Sequence, residues 1–186
     1  GGWGLGIMLG AASAGFFGTN AYMGSVLAEM GQVDRLPQAL FWFNATQVAG
    51  SLLMLVLGRH LVGRRWPVVA VACGVLLGLL GFGFGGDTMA LTAVLVLGLC
   101  TCLQLILMVS LVPQMATGNA AARLAAVMFT AGYLLGFVVP QAGGLLADLT
   151  GSARMAMLPM ILLAAAAVLV AVGIRFGHGE ARSSVA

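Results

Sequence analysis

The chain has 186 residues, of which 61% are hydrophobic and only 7% charged, and a formal net charge of +3. A soluble domain carries about 25% charged residues, so eight Arg and five Asp or Glu cannot coat a water-soluble globule. This composition excludes a soluble enzyme, a disulfide-bonded secreted scaffold and a disordered chain. The few scattered Arg, without any Lys, give no nucleic-acid footprint.

A helix needs about 20 apolar residues to cross the hydrocarbon core. Six stretches reach that length, at 2–28, 37–57, 66–84, 88–112, 124–147 and 155–174. Their apolar runs are continuous rather than alternating, which points to helices and against a membrane barrel. The expected fold is an all-α transmembrane six-helix bundle over residues 1–176, followed by a polar tail over 177–186. The chain starts at Gly1 rather than at Met, so it is expected to be a piece of a longer protein.

The first span carries Ser13, Thr19, Asn20 and Tyr22, and a small-residue face of Gly6, Gly10, Ala14 and Gly18. In the second, Asn44, Gln47 and Ser51 fall at i, i+3 and i+7 on one helix face. The third has nothing more polar than Cys73. The fourth carries Thr101, Gln104 and Ser110. In the fifth, Thr130, Tyr133, Phe137 and Gln141 share a face, while Gly132, Gly136, Pro140 and Gly144 recur every four residues. The sixth has no polar side chain between Met155 and Ile174. Amides in hydrocarbon need a partner or water, so spans one, two, four and five are expected to face a cavity or one another, and spans three and six to face lipid. Asn20, Asn44, Gln47, Gln104, Tyr133 and Gln141 are the expected wall of a solute pathway. Small-residue faces allow close helix approach, and Pro140 should kink its helix.

Among the short loops and the tail, Arg59, Arg64, Arg65, Arg123, Arg175 and Arg182 fall on one side, and only Arg35 and Arg154 on the other. The excess of Arg marks the cytoplasmic side, so both chain ends are expected there. Corresponding spans start at Gly2 and Thr88, Pro37 and Leu124, and Trp66 and Met155, offsets of 86, 87 and 89 residues. The near-constant offset suggests two three-helix repeats, inverted because three is odd. No metal or cofactor site is expected. Cys73, Cys100 and Cys102 sit in apolar runs as small hydrophobes, and Cys100-Thr101-Cys102 has the wrong spacing for zinc. An intramembrane serine protease is disfavoured, because its Ser needs an adjacent His and the only His are His60 in a loop and His178 in the tail.

Several of these residues also resemble a known family. Gly10, Ser13, Phe16 and Phe17 are similar to the G-x-Q-S-x-x-F-Y of the seventh helix in the cyanate and nitroimidazole transporter-like branch of the major facilitator superfamily. That branch's Gln, Trp and Pro positions hold Ala12, Tyr22 and Gly24 here. The segment from Gly132-Tyr133 through Pro140 to Asp148-Leu149-Thr150-Gly151-Ser152 resembles its eleventh helix and following turn. Gly63, Arg64 and Arg65 match the end of the superfamily loop motif G-x-x-x-D-R-x-G-R-R, with His60 and Leu61 in place of its Asp and Arg. The resemblance implies the C-terminal half of a twelve-helix transporter in an inner membrane, which moves a small solute and is completed by an N-terminal six-helix half. A stand-alone six-helix protein that dimerises into a transporter is the alternative.

Overall fold

The computed structural model describes residues 2–86 and 88–174. The tail at 177–186, with Arg182 and His178, lies outside them, as do Asp87 and Arg175. The described residues are almost all helical and contain no strand. Helix α1 runs Gly2–Glu29, α2 Leu36–Leu61, α3 Arg65–Phe84, α4 Met89–Met115, α5 Gly118–Thr150 and α6 Leu158–Gly173. Short 3-10 turns at Val33–Arg35 and Ala153–Met157 lead into α2 and α6. The six predicted spans each fall on one helix, but hydropathy misplaces several ends. α2 continues through Gly58, Arg59 and His60, and α5 begins six residues before Leu124, where Ala120-Ala121-Ala122 carries the helix past its apolar stretch. α6 starts later than expected, at a Leu158-Pro159 first turn where Pro is tolerated.

Five helices, counting the two lead-in turns, are long and apolar enough to cross a membrane. α1, expected as the sixth, has the length at 28 residues but is not among these five. Its Gly, Ser, Thr and Asn residues dilute it, and its position accounts for their tolerance. Fifteen of its residues are buried, against four in α2 and six in α5. α1 is enclosed by α5, α6 and α4, so its own side chains cover little of the outer surface.

Helix neighbours are mostly not sequential. α1 packs most extensively along α5, α4 along α3 and α2, and α6 along α3 and α1. Two apolar clusters fill the interior. One, around Met23, Phe43, Phe82, Leu97 and Met160, lies toward the end where α1 finishes. The other, around Met8, Leu9, Leu107, Met108 and Met128, lies toward the end where α1 begins. α3 and α6 have much of their length buried, on each other and on α4 and α1. Their outward side chains are apolar, among them Leu77, Leu80, Phe84, Leu162 and Leu169.

The two ends of the bundle differ in charge. Where α2 ends and α3 and α5 begin lie Arg59, His60, Arg64, Arg65 and Arg123, with no described acid. At the opposite end lie Glu29, Asp34, Arg35, Asp148 and Arg154. Side chains tie the helix ends together. The Glu29 carboxylate accepts from the Ser152 hydroxyl at 2.7 Å and the Arg154 backbone N–H at 3.1 Å. The Arg154 guanidinium donates to the carbonyls of Gly83, at 2.7 Å, and Gly85, at 3.2 Å, where α3 ends. At the other end the Arg65 guanidinium, at the start of α3, donates to the Val172 carbonyl in the last turn of α6. Each arginine thus sits on the electronegative terminus of the neighbouring antiparallel helix.

Candidate functional site

The site begins with the seam between α1 and α5, which run parallel. A Cβ added at Gly6 would stand 2.6 Å from the Ala131 Cβ, one at Gly10 2.7 Å from the Leu135 Cβ, and one at Gly136 2.7 Å from the Ser13 Cβ. Both small-residue faces expected from the sequence therefore meet here, except that Gly18 faces Met160 of α6. Pro140 has no N–H to give the Gly136 carbonyl, so α5 loses one internal hydrogen bond. The Tyr22 hydroxyl donates to the Pro140 carbonyl at 2.8 Å and pins α1 to α5 at that point.

Around this joint the helices part to form a cleft of about 410 Å³. α1 contributes Phe17 and Ala21, and α5 contributes Tyr133, Gly136, Phe137 and Gln141. Tyr133 stacks on Phe129 with centroids 5.9 Å apart. Tyr133, Phe137 and Gln141 are all exposed in this chain, although they lie well inside a helix of membrane-spanning length. The cleft has aromatic walls, a phenol and an amide at its rim, and no charged lining residue. Chemically it offers hydrogen bonds and ring faces to a neutral or planar molecule.

On the α2 side of α1, the Asn44 amide donates to the Asn20 side-chain oxygen at 3.3 Å and to the Leu40 carbonyl at 2.8 Å. Asn20 donates to the Phe16 carbonyl at 3.1 Å. Asn44 is exposed and Asn20 half-buried. Four of the six expected pathway residues, Asn20, Asn44, Tyr133 and Gln141, therefore flank the exposed side of α1 at residues 17–21.

The other two sit between helices. The Gln47 amide donates to the Gly98 carbonyl at 2.7 Å and the Thr101 hydroxyl at 3.2 Å, joining α2 to α4. Ser51 donates to the Gln47 carbonyl at 2.9 Å, and the Cys102 thiol to the same carbonyl at 3.3 Å. Gln104 is 0% exposed, with its amide on the Met8 carbonyl at 2.7 Å and its own oxygen without a partner. Ser13 and Thr19 hydroxyls are likewise buried and unpartnered.

In the loop motif, Gly63 has φ +82, a left-handed conformation that favours glycine, and a Cβ there would stand 2.7 Å from the Gln114 Oε1. Arg64 is exposed, whereas Arg65 is occupied by Val172. Among the described residues no three His, Cys, Asp or Glu are grouped to hold a metal ion. The Ser152 hydroxyl, and behind it the Arg154 and Ala153 backbone, hold the Glu29 carboxyl below its ordinary range.

Sequence reasoning did not single out Ala21 as a lining residue, nor Tyr22 as the pin on Pro140. The spacing of Phe17, Ala21 and Ser25 every four residues was the available signal. Glu29, Ser152 and Arg154 gave none, being short polar segments far apart in sequence. No protein-family model, curated protein or solved structure matches the chain.

Proposed function

We propose that this chain is a transport unit, the C-terminal six-helix half of a major facilitator secondary transporter similar to the cyanate and nitroimidazole branch. It moves a small polar or planar solute across an inner membrane by alternating access, together with an N-terminal six-helix half. The observation that carries the reading is the exposed aromatic and amide cleft between α1 and α5, in helices whose other outward faces are apolar. Asn20, Asn44, Tyr133 and Gln141 are the solute-facing polar groups in this reading, and Gln47 and Gln104 hold helices together.

Two further features support it. Exchanging the first three helices with the last three preserves the main pairings, since α1 lies on α5 as α4 lies on α2, and α6 lies on α1 as α3 lies on α4. The Arg65 and Arg154 ties exchange in the same way. This is the pattern expected of inverted three-helix repeats. The basic end, with Gly63, Arg64 and Arg65, is then cytoplasmic, and so are both chain ends.

Cysteine accessibility in the native membrane tests the proposal. In a background without Cys73, Cys100 and Cys102, N44C, Y133C and Q141C are expected to react with a charged, water-soluble thiol reagent. L77C and L162C are expected to stay unreactive. Equal reactivity of the two sets would remove the pathway.

A further inference from the structure

We infer that a second cleft, at the acidic end of the α1–α5 seam, binds a small organic cation, a protonated amine held by the Asp148 carboxylate. The cleft has a volume of about 400 Å³ and is lined by Tyr22 and Ser25 of α1 and by Gly144, Ala147, Asp148 and Gly151 of α5 and its cap. It lies one turn beyond the Tyr133–Gln141 cleft along the same two helices, and its lining is separate from that cleft's, so the inference goes beyond the transport reading.

Four observations give the cleft its preference. Asp148 makes no hydrogen bond or ion pair among the described residues, whereas the neighbouring Glu29 is engaged by Ser152 and Arg154. The basic group nearest in sequence, Arg154, is turned away onto the Gly83 and Gly85 carbonyls. The cleft sits at the C-terminus of a 33-residue helix, where the peptide dipoles add roughly half a negative charge. Tyr22, whose hydroxyl is committed to Pro140, supplies an aromatic ring, and rings attract ammonium groups. Together these repel an anion and favour a cation. A bare metal ion fits poorly, because one carboxylate and two hydroxyls do not complete a coordination shell and the volume suits an organic molecule. Gly144 keeps the cleft open, since a Cβ there would stand 2.5 Å from the Tyr22 hydroxyl.

The test uses the 186-residue chain in liposomes, with Cys73, Cys100 and Cys102 replaced by Ala and S25C as reporter. The rate of labelling by a neutral maleimide is measured at neutral pH with millimolar n-butylammonium, n-butanol or butyrate. Butylammonium is expected to slow labelling saturably, threefold where its concentration reaches about twice its Kd. The alcohol and the carboxylate should leave the rate unchanged. D148N should abolish the protection and D148E retain it, and high salt should weaken it. Absence of protection by butylammonium, equal protection by butanol, or protection that survives in D148N would overturn the proposal. A147C on the opposite wall is the second reporter should S25C fail to fold.

Discussion

Gln104 separates a packing role from a solute-contacting one. Its amide spans α4 to α1 with one bond to the Met8 carbonyl, it is 0% exposed, and its own oxygen has no partner. Gln104→Leu removes one interhelical hydrogen bond, worth about 0.6 kcal/mol on average in a membrane. It also removes the unsatisfied buried oxygen, which costs about 1–3 kcal/mol to keep. The Met8 carbonyl keeps its intrahelical bond. The two effects have opposite signs and similar sizes, so Gln104→Leu should lie within about 1 kcal/mol of the parent or be more stable. Gln104→Ala removes the same bond and the same oxygen but leaves a void beside Met8, so it should be about 2 kcal/mol or more less stable than Gln104→Leu. Unfolding of both variants in lipid–detergent micelles by titrated denaturing detergent measures the difference directly. If Gln104→Leu is destabilised by clearly more than about 1 kcal/mol against the parent, the bond to Met8 outweighs the buried oxygen, and the reasoning fails.

Two other outcomes follow from the geometry. Gly136→Val should destabilise the bundle by about 1–3 kcal/mol through overpacking against Ser13, while Gly173→Ala, with no atom within 4 Å of its new Cβ, should be tolerated; equal thermal midpoints for the two variants would contradict the seam. Glu29 is held below its ordinary value of 4.5 in the folded state, so its ties stabilise the fold above that value and are lost as pH falls through the lowered one. Melting midpoints measured from neutral to acidic pH should therefore drop more steeply for the parent than for Glu29→Gln, and parallel curves would show that the carboxylate contributes nothing.

Much of the helical layout was legible in the sequence because hydropathy over a window responds to the length of an apolar run. That same averaging hides what happens at its ends, and so it missed the polar but helix-forming segments Gly58-Arg59-His60 and Gly118–Arg123. The Gly seam was legible as a four-residue repeat, although no single-sequence pattern indicates which helix lies opposite. Gly18 repeats with Gly6 and Gly10 yet faces Met160 of α6. Polarity alone grouped Gln47 and Gln104 with Asn44 and Tyr133. An amide needs a partner in hydrocarbon, but the partner can be a neighbouring carbonyl as readily as water, and only the packing of α4 against α1 and α2 distinguishes the two.

The parallel pairing of α1 with α5 also sets a schedule for making the protein. Tyr22 and Pro140 lie 118 residues apart, and at about 5–20 residues per second the ribosome needs about 6–24 s to supply the second after the first. Through that interval α1 must wait in or beside the bilayer with Gly6, Gly10 and Ser13 not yet covered by α5. The fold therefore leaves its first helix to be shielded by something other than its final neighbour, whether the insertion machinery or the earlier-arriving α4. A delay in synthesis between residues 29 and 118 lengthens the time in which another small-residue helix can occupy the place of α5.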